Sequence, residues 1–281
     1  MNRLLYRKLK DRLAFFLILV LALCPTLPLF HILLGVVKQG ISSISLEFFI
    51  HLPKPPGEEG GGVGNAIVGT LMLALSASLL AVPIGILCGV YLSEYAKGRF
   101  GEAVRIAADV LQGTPSIVFG IIAYLWVVKP MGHFSAFSGS VALAIMMLPV
   151  IVRSTEEILR MIPETLREAS LALGVNYWRT VLKVIIPTGL VGITTGILLS
   201  LARIMGETAP LLFTAFGNPF WNFNPMQPVE ALPLVVFKYA ISPYEEWIRQ
   251  AWGASLVLTG LVLVLNLSAR LLARRMGGHG R

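Results

Sequence analysis

Residues 153–187 read RSTEEILRMIPETLREASLALGVNYWRTVLKVIIP, a charged, helix-patterned segment set between two long apolar runs. It is too long and too regular to be a plain connector. Pro163 stands where a first helical turn tolerates it, Glu164 and Glu168 favour the N-terminal half of a helix, and Gly174 is placed to end one. The pattern predicts a short amphipathic helix, a glycine turn, and a second apolar-periodic helix running into the next apolar run at Pro187.

The rest of the chain says what this segment is attached to. Of 281 residues, 56% are hydrophobic and 14% charged, with a mean hydropathy of +0.76. A soluble domain carries about 25% charged residues, so the composition specifies an integral membrane protein and excludes a soluble enzyme. The net charge of +8 is not a nucleic-acid signature, because the basic residues fall in short clusters between apolar runs. Cys24 and Cys88 lie within apolar runs, offer neither a disulfide framework nor a metal-ligand spacing, and read as packing residues.

A spanning helix needs about 20 mostly apolar residues. Charge-free stretches predict six, at Leu13–Val37, Gly60–Ser93, Val110–Val128, Pro130–Val152, Val184–Ala202 and Gln250–Ala269. The first follows Arg3, Arg7, Lys8, Lys10 and Arg12 but outruns the roughly 7–15 residues of a signal-peptide core, so a retained anchor is expected. The expected division is a basic N-terminus (1–12), an anchor helix (13–37), an external loop (38–63), a five-span transmembrane domain (64–272) and a tail (273–281). The glycines at 60, 61, 62 and 64 form a hinge, since no Lys-Ser/Thr pair follows to make a phosphate-cradling loop. Pro83, Pro149 and Pro210 should kink helices rather than break them, and Gly113-Thr-Pro-Ser116 should act as a kink or cap. Gly85 and Gly89 form a small-xxx-small pair suited to close helix approach.

Sorting Lys and Arg into alternate loops puts 17 on one side and five on the other. That bias places both termini, the 93–109 loop and the 153–183 segment in the cytoplasm of a multi-pass cell-membrane protein. Trp221, Trp247 and Trp252 then suit an outer aromatic belt, and His31 and His133 are interfacial. One basic residue remains. Arg203, with Glu207 four residues on, lies inside the fifth apolar run, where a charge at mid-bilayer costs about 2.5–3.5 kcal/mol. The two share a helix face and can pair structurally. The same face carries Gly192, Gly196, Ser200, Gly206 and Pro210, a small or polar stripe that faces a partner helix or a watery path better than lipid. Arg203 lies about 24 Å above Pro187 at 1.5 Å per residue, in the outer half of a roughly 30 Å core. An Arg oriented by a carboxylate has donors left for a tetrahedral oxyanion. Arg203, Glu207, Ser200 and Thr208 are thus candidate substrate-path residues.

Glu168-Ala169-Ser170, Gly174 after three residues, and Val184-Ile185-Ile186-Pro187 after nine more resemble the EAA loop of ABC importer permeases, E-A-A, x3, G, x9, I-x-L-P. Ser170 and Val184 depart mildly from that pattern. The resemblance implies an all-α membrane protein, a six-span type I transmembrane domain whose EAA loop (about 164–187) is a coupling helix, with Glu168, Ala169, Ser170 and Gly174 at the ATPase contact. Leu201-Ala-Arg-Ile-Met-Gly-Glu-Thr-Ala-Pro-Leu-Leu-Phe-Thr-Ala215 is similar to the PstA family of phosphate-specific importer permeases. The companion PstC family has a related Arg…Gly-Glu-Thr without the Ala-Pro-Leu-Leu. Gly64-Asn-Ala-Ile-Val-Gly-Thr70, Pro83-Ile-Gly-Ile86, Tyr91-Leu-Ser-Glu-Tyr-Ala96, Gly113-Thr-Pro-Ser-Ile-Val-Phe-Gly120, Ala231-Leu-Pro233 and Ala251-Trp252 extend the likeness over residues 64–270.

The resemblance implies a permease subunit of an ATP-driven phosphate importer. Its implied partners are a second, PstC-like permease, a PstB-like cytoplasmic ATPase dimer and a PstS-like external phosphate-binding protein. The chain would hold no cofactor, ATP and Mg being bound by the ATPase, and it carries no Walker motif or catalytic triad of its own. The Arg203 chemistry alone leaves molybdate, sulfate and phosphonate open as substrates. An ATP-independent secondary transporter would need intramembrane acids on discontinuous helices in repeated halves, and the sequence shows no such repeat.

Overall fold

A computed structural model of the protein describes residues 2–58, 60–96 and 98–277. Lys97 and Arg281, counted above among the inner-side charges, and residues 278–281 of the expected tail lie outside the described residues.

Helix α1 (Asn2–Gly40) runs unbroken through Pro25 and Pro28. A 3-10 turn and the short α2 (Leu46–Ile50) lead to α3 (Gly64–Glu94). Next come α4 (Arg99–Gly113), α5 (Ser116–Met131, its second half partly π-helical), α6 (Ala136–Arg160) and α7 (Glu164–Ala172). The chain ends with α8 (Tyr177–Met205), α9 (Ala209–Leu212), α10 (Leu232–Ala240) and α11 (Glu245–Gly277). Helices α1, α3, α6, α8 and α11 are long and apolar enough to cross a bilayer, and α4 with α5 makes a sixth span if that pair is counted as one.

Three expectations need correcting. The third span is not a straight Val110–Val128 helix following a loop. Residues 99–113 are already helical, and α4 meets α5 at 105°. Pro115 forces the residue before it out of the helical region, and Thr114 is extended (φ −75°, ψ 134°), so the Gly-Thr-Pro-Ser motif breaks the helix outright. The fourth span starts at Ala136 instead of Pro130. Gly132 ends α5 in the left-handed region, and Ser135 caps α6 through a reciprocal Ser135/Ser138 box. Pro210 does not kink α8, which stops at Met205. It sits instead in the first turn of the separate α9, while α3 and α6 continue through Pro83 and Pro149.

In lipid, helices gain little from burying apolar surface against one another, so association depends on close van der Waals packing. The most extensive contact is between α3 and α6. There Gly85 lies against Ile151 and Gly89 against Thr155, as the small-xxx-small spacing predicts. Leu73, Ala77, Phe119, Leu143, Met147, Ile151, Ile204 and Leu211 form the main core between α3, α5, α6, α8 and α9. A second cluster, with Phe48, Val63, Leu232, Val235 and Ala254, seats α10 against α2, α3 and α11.

The segment after α9 folds back over the start of α6. The backbone N–H groups of Ser135, Ala136 and Phe137 donate to the carbonyls of Thr214, Gln227 and Pro225 at 3.1, 2.9 and 2.8 Å. Its returning segment passes so near α3 that a Cβ on Gly69 would clash with the Glu230 carbonyl oxygen. Gly69→Ala should therefore destabilise the fold by about 1–3 kcal/mol or more. Gly35→Ala, with open space around it, should be neutral. Thermal unfolding of the detergent-purified protein measures both.

Candidate translocation face and coupling surface

Helix α7 begins at Pro163, carries Glu164 in its first turn, and ends where Gly174 adopts φ +76°, a conformation a side chain would strain. Its inward side is bolted down by Arg167. That guanidinium donates to both oxygens of Glu94 at the end of α3 (2.8 and 3.1 Å) and to the carbonyls of Leu159 (3.0 Å) and Ile162 (2.9 Å). Tyr177 Oη and Ser93 Oγ donate to the same carboxylate, each at 2.8 Å. The side chains of Glu94 and Arg167 are 1% and 9% exposed. The Glu94 hydrogen bonds hold Arg167 above its ordinary pKa. A second tie runs from Ser170 Oγ to Thr180 Oγ1 at 2.8 Å, joining α7 to the first turn of α8.

The four expected coupling residues therefore divide. Ser170 is buried in this anchor, whereas Glu168, Ala169 and Gly174 are exposed. Beside them Leu173 is 84% exposed and Trp178 is exposed beneath the Arg179 guanidinium, 5.1 Å from its ring centroid. The outer face of α7 and the turn after it is thus partly apolar and open. From Tyr177 the chain enters the membrane as one helix to Met205, with π-helical residues 181–185 just ahead of Pro187. The proline has no N–H for the regular ladder, and the wider turn accommodates its ring.

A second charged hub lies nearby. Glu156, its side chain 1% exposed, receives Arg105 from α4 and Arg153 and Arg160 from its own helix, the last two at 3.0 Å. Arg153 also reaches Asp109 at 2.9 Å, and Arg105 donates to the Leu92 carbonyl of α3 at 2.9 Å. Charges that sequence reading uses only for orientation are therefore also structural anchors.

At the far end of α8, Arg203 is 46% exposed and Glu207 19%, with Nε and Oε1 4.0 Å apart. That is an ion pair at the limit of contact and too long for a hydrogen bond. The helix stops at Met205, Gly206 caps it, and Glu207 and Thr208 lie in the break before α9. Thr208 is half-buried, its Oγ1 3.5 Å from the Pro233 carbonyl at the start of α10. Ser200, one turn before Arg203, is turned into the bundle: it is buried, and its hydroxyl donates to the Ile197 carbonyl at 2.7 Å. Thr188, Thr195 and Leu199 do share the exposed stripe with Arg203, at helical spacing. The stripe borders a groove of about 330 Å³ between α6 and α8, lined by Ser154, Glu157, Gly192, Thr195, Gly196 and Leu199. Gly192 and Gly196 allow the approach of Ile158 and Ser154. Part of the small stripe thus serves helix packing, and its edge stays open.

A bundle of unbroken and broken apolar spans, with a short helix tied to the end of α3 and one helix face carrying Arg203 left open, is compatible with the membrane component of an importer. Residues 81–278 match the family described as binding-protein-dependent transport system inner membrane component. The MetNI methionine ABC transporter in an inward-facing conformation superposes with a TM-score of 0.60 at 20% identity, over 76% of this chain and 94% of that one. The phosphate transport system permease protein PstA of Yersinia pestis is 42% identical, over 95% of this chain and 91% of that protein. PstA of Xylella fastidiosa (strain 9a5c) is 45% identical, over 85% and 84%. The chain belongs to the PstA family of ABC importer permeases.

Breaking a buried ion pair by removing one partner costs about 3–5 kcal/mol, because the other charge is left uncompensated. Glu94→Gln and Arg167→Met should each destabilise on that scale. The double substitution should cost markedly less than the sum, a coupling that a double-mutant cycle on thermal unfolding reads directly.

Proposed function

We propose that the chain is a permease subunit of an ATP-driven importer of inorganic phosphate, with both termini and α7 on the cytoplasmic side. The basic-residue bias supports that orientation. The substrate reading rests on one observation: Arg203 ends an open helix face with a guanidinium that Glu207 orients at 4.0 Å without saturating. Its fork of N–H donors suits a tetrahedral oxyanion, and the relatives named as phosphate permeases narrow the anion to phosphate. Thr195, Ser154 and the groove below them extend the path inward, and a second permease facing this stripe closes it.

The chain supplies the lever and its partners supply the power. A cytoplasmic ATPase dimer holding ATP and Mg docks on Leu173 and the exposed side of α7. An external binding protein delivers phosphate to the opposite mouth. Because Arg167 locks α7 to α3 and Ser170 locks it to α8, a push on α7 moves both helices together and reorients the Arg203 face.

Arg203→Gln in the assembled complex should lower labelled-phosphate uptake at least about tenfold, the effect of losing one charge-assisted hydrogen bond, while leaving assembly normal. Unchanged uptake refutes the Arg203 assignment, and uptake competed better by molybdate or sulfate than by phosphate refutes the substrate. Leu173→Arg should weaken ATPase co-purification by about thirtyfold, as for a loss of roughly 2 kcal/mol at an interface anchor. Full stoichiometry would place the ATPase contact elsewhere.

A further inference from the structure

The segment between α9 and α10 presents aromatic rings to solvent on a rigid mount. Residues 213–229 contain not one charged side chain. Phe220 is 68% and Phe223 70% exposed, Trp221 and Met226 are exposed as well, and the Trp221 and Phe223 rings lie parallel with centroids 6.2 Å apart. The mount is built by asparagines. Asn218, Asn222 and Asn224 each accept the backbone N–H two residues on, from Phe220, Asn224 and Met226 at 3.0, 2.8 and 3.0 Å. The Asn218 and Asn222 amides donate to the Pro228 carbonyl at 3.2 and 2.8 Å, and the Asn65 amide of α3 donates to the Asn218 carbonyl at 2.8 Å. The loop is therefore ordered by folding itself, and a partner that lands on it has little further ordering to impose.

Its place says which phase it meets. The first N–H groups of a helix point past the helix end. Those of Ala136 and Phe137, the first residues of α6, donate to the Gln227 and Pro225 carbonyls. Trp221 stands against Gly64, the first residue of α3, where an added Cβ would lie 2.7 Å from the ring. The loop thus covers the ends of two candidate spans instead of lying alongside them, where acyl chains run. Exposed aromatic and Met side chains without charges, held in one shape, have the composition of the buried centre of a protein–protein interface. The absence of charge also excludes a partner held here by salt bridges.

We propose that this loop is the seat of the external binding protein, with Phe220 and Phe223 entering uncharged recesses on that protein's surface. The inference rests on the importer reading above, which puts these span ends outside, and on the family's description as binding-protein-dependent. Only α9 separates the loop from the break that carries Glu207 and Thr208, so a protein seated on it releases its anion toward the Arg203 end of the path.

The test uses the full complex in nanodiscs, with its phosphate-loaded binding protein titrated in and ATP hydrolysis measured. Phe220→Ser combined with Phe223→Ser should raise the half-saturating concentration of binding protein about thirtyfold, the scale of losing an interface anchor, while the basal rate and the stimulated maximum stay at wild-type values. The unchanged basal rate reports an intact fold. Wild-type half-saturation in the variant overturns the proposal and leaves the importer reading standing, whereas a wild-type complex that the phosphate-loaded protein does not stimulate overturns both. Quenching of Trp221 fluorescence by brominated phosphatidylcholine, read as the difference from Trp221→Phe, assigns the rings to the lipid surface and overturns the docking site. A photo-crosslinker attached at Phe223→Cys that couples to the second permease instead of the binding protein overturns it as well.

Discussion

The pair between Glu94 and Arg167 is the constraint on which the working geometry depends. It joins the last residue of α3 to the inward side of α7, across 73 residues of chain, with both charges almost fully out of water. Two such charges are tolerated only when every lone pair and donor is used. Here Ser93, Tyr177, the carbonyls of Leu159 and Ile162 and, at 3.5 Å, the Glu164 carboxylate supply the other partners. A short helix of nine residues would be marginal alone. Tied in this way, it becomes a rigid handle on the bundle.

The Glu156 hub does the same for α4 and α6. Together the two clusters tie α3, α4, α6 and α7 to one another by charge-assisted hydrogen bonds. Deeper in the membrane, α3 and α6 rely on glycine-mediated closeness at Gly85 and Gly89. The bilayer explains the division. Lipid gives no hydrophobic reward for helix contact, so shape dominates within it, while charges concentrate where the helices emerge. Arg203 is the exception. It lies near the end of α8, half exposed, with Glu207 4.0 Å away and no comparable shell of partners among the described residues.

Much of this was legible in sequence. The spans α1, α3, α6, α8 and α11, the short helix ending at Gly174, and the approach of α3 to α6 follow from apolar run length, capping residues and small-residue spacing. These are local or periodic signals. The 105° bend at Thr114, the stop of α8 at Met205 and the inward turn of Ser200 were not legible as such. A proline in an apolar run permits a kink, a break or a new start, and the choice depends on which neighbouring groups take up the freed carbonyls.

The sequence by itself determined that the chain is a membrane protein, where five of its long apolar helices lie, that a short helix ends at Gly174, and that Arg203 and Glu207 stand out. Those follow from the cost of charge in hydrocarbon and from helical periodicity, both readable one segment at a time. Only the tertiary structure decided that Arg167 and Ser170 are anchors while Leu173 is left open, and that Arg203 faces outward where Ser200 does not. It alone joined Asn65 of α3 to Asn218 of the loop after α9. Such partnerships join residues tens or hundreds of positions apart, and nothing in a linear pattern records which charges a fold will bring within hydrogen-bonding reach.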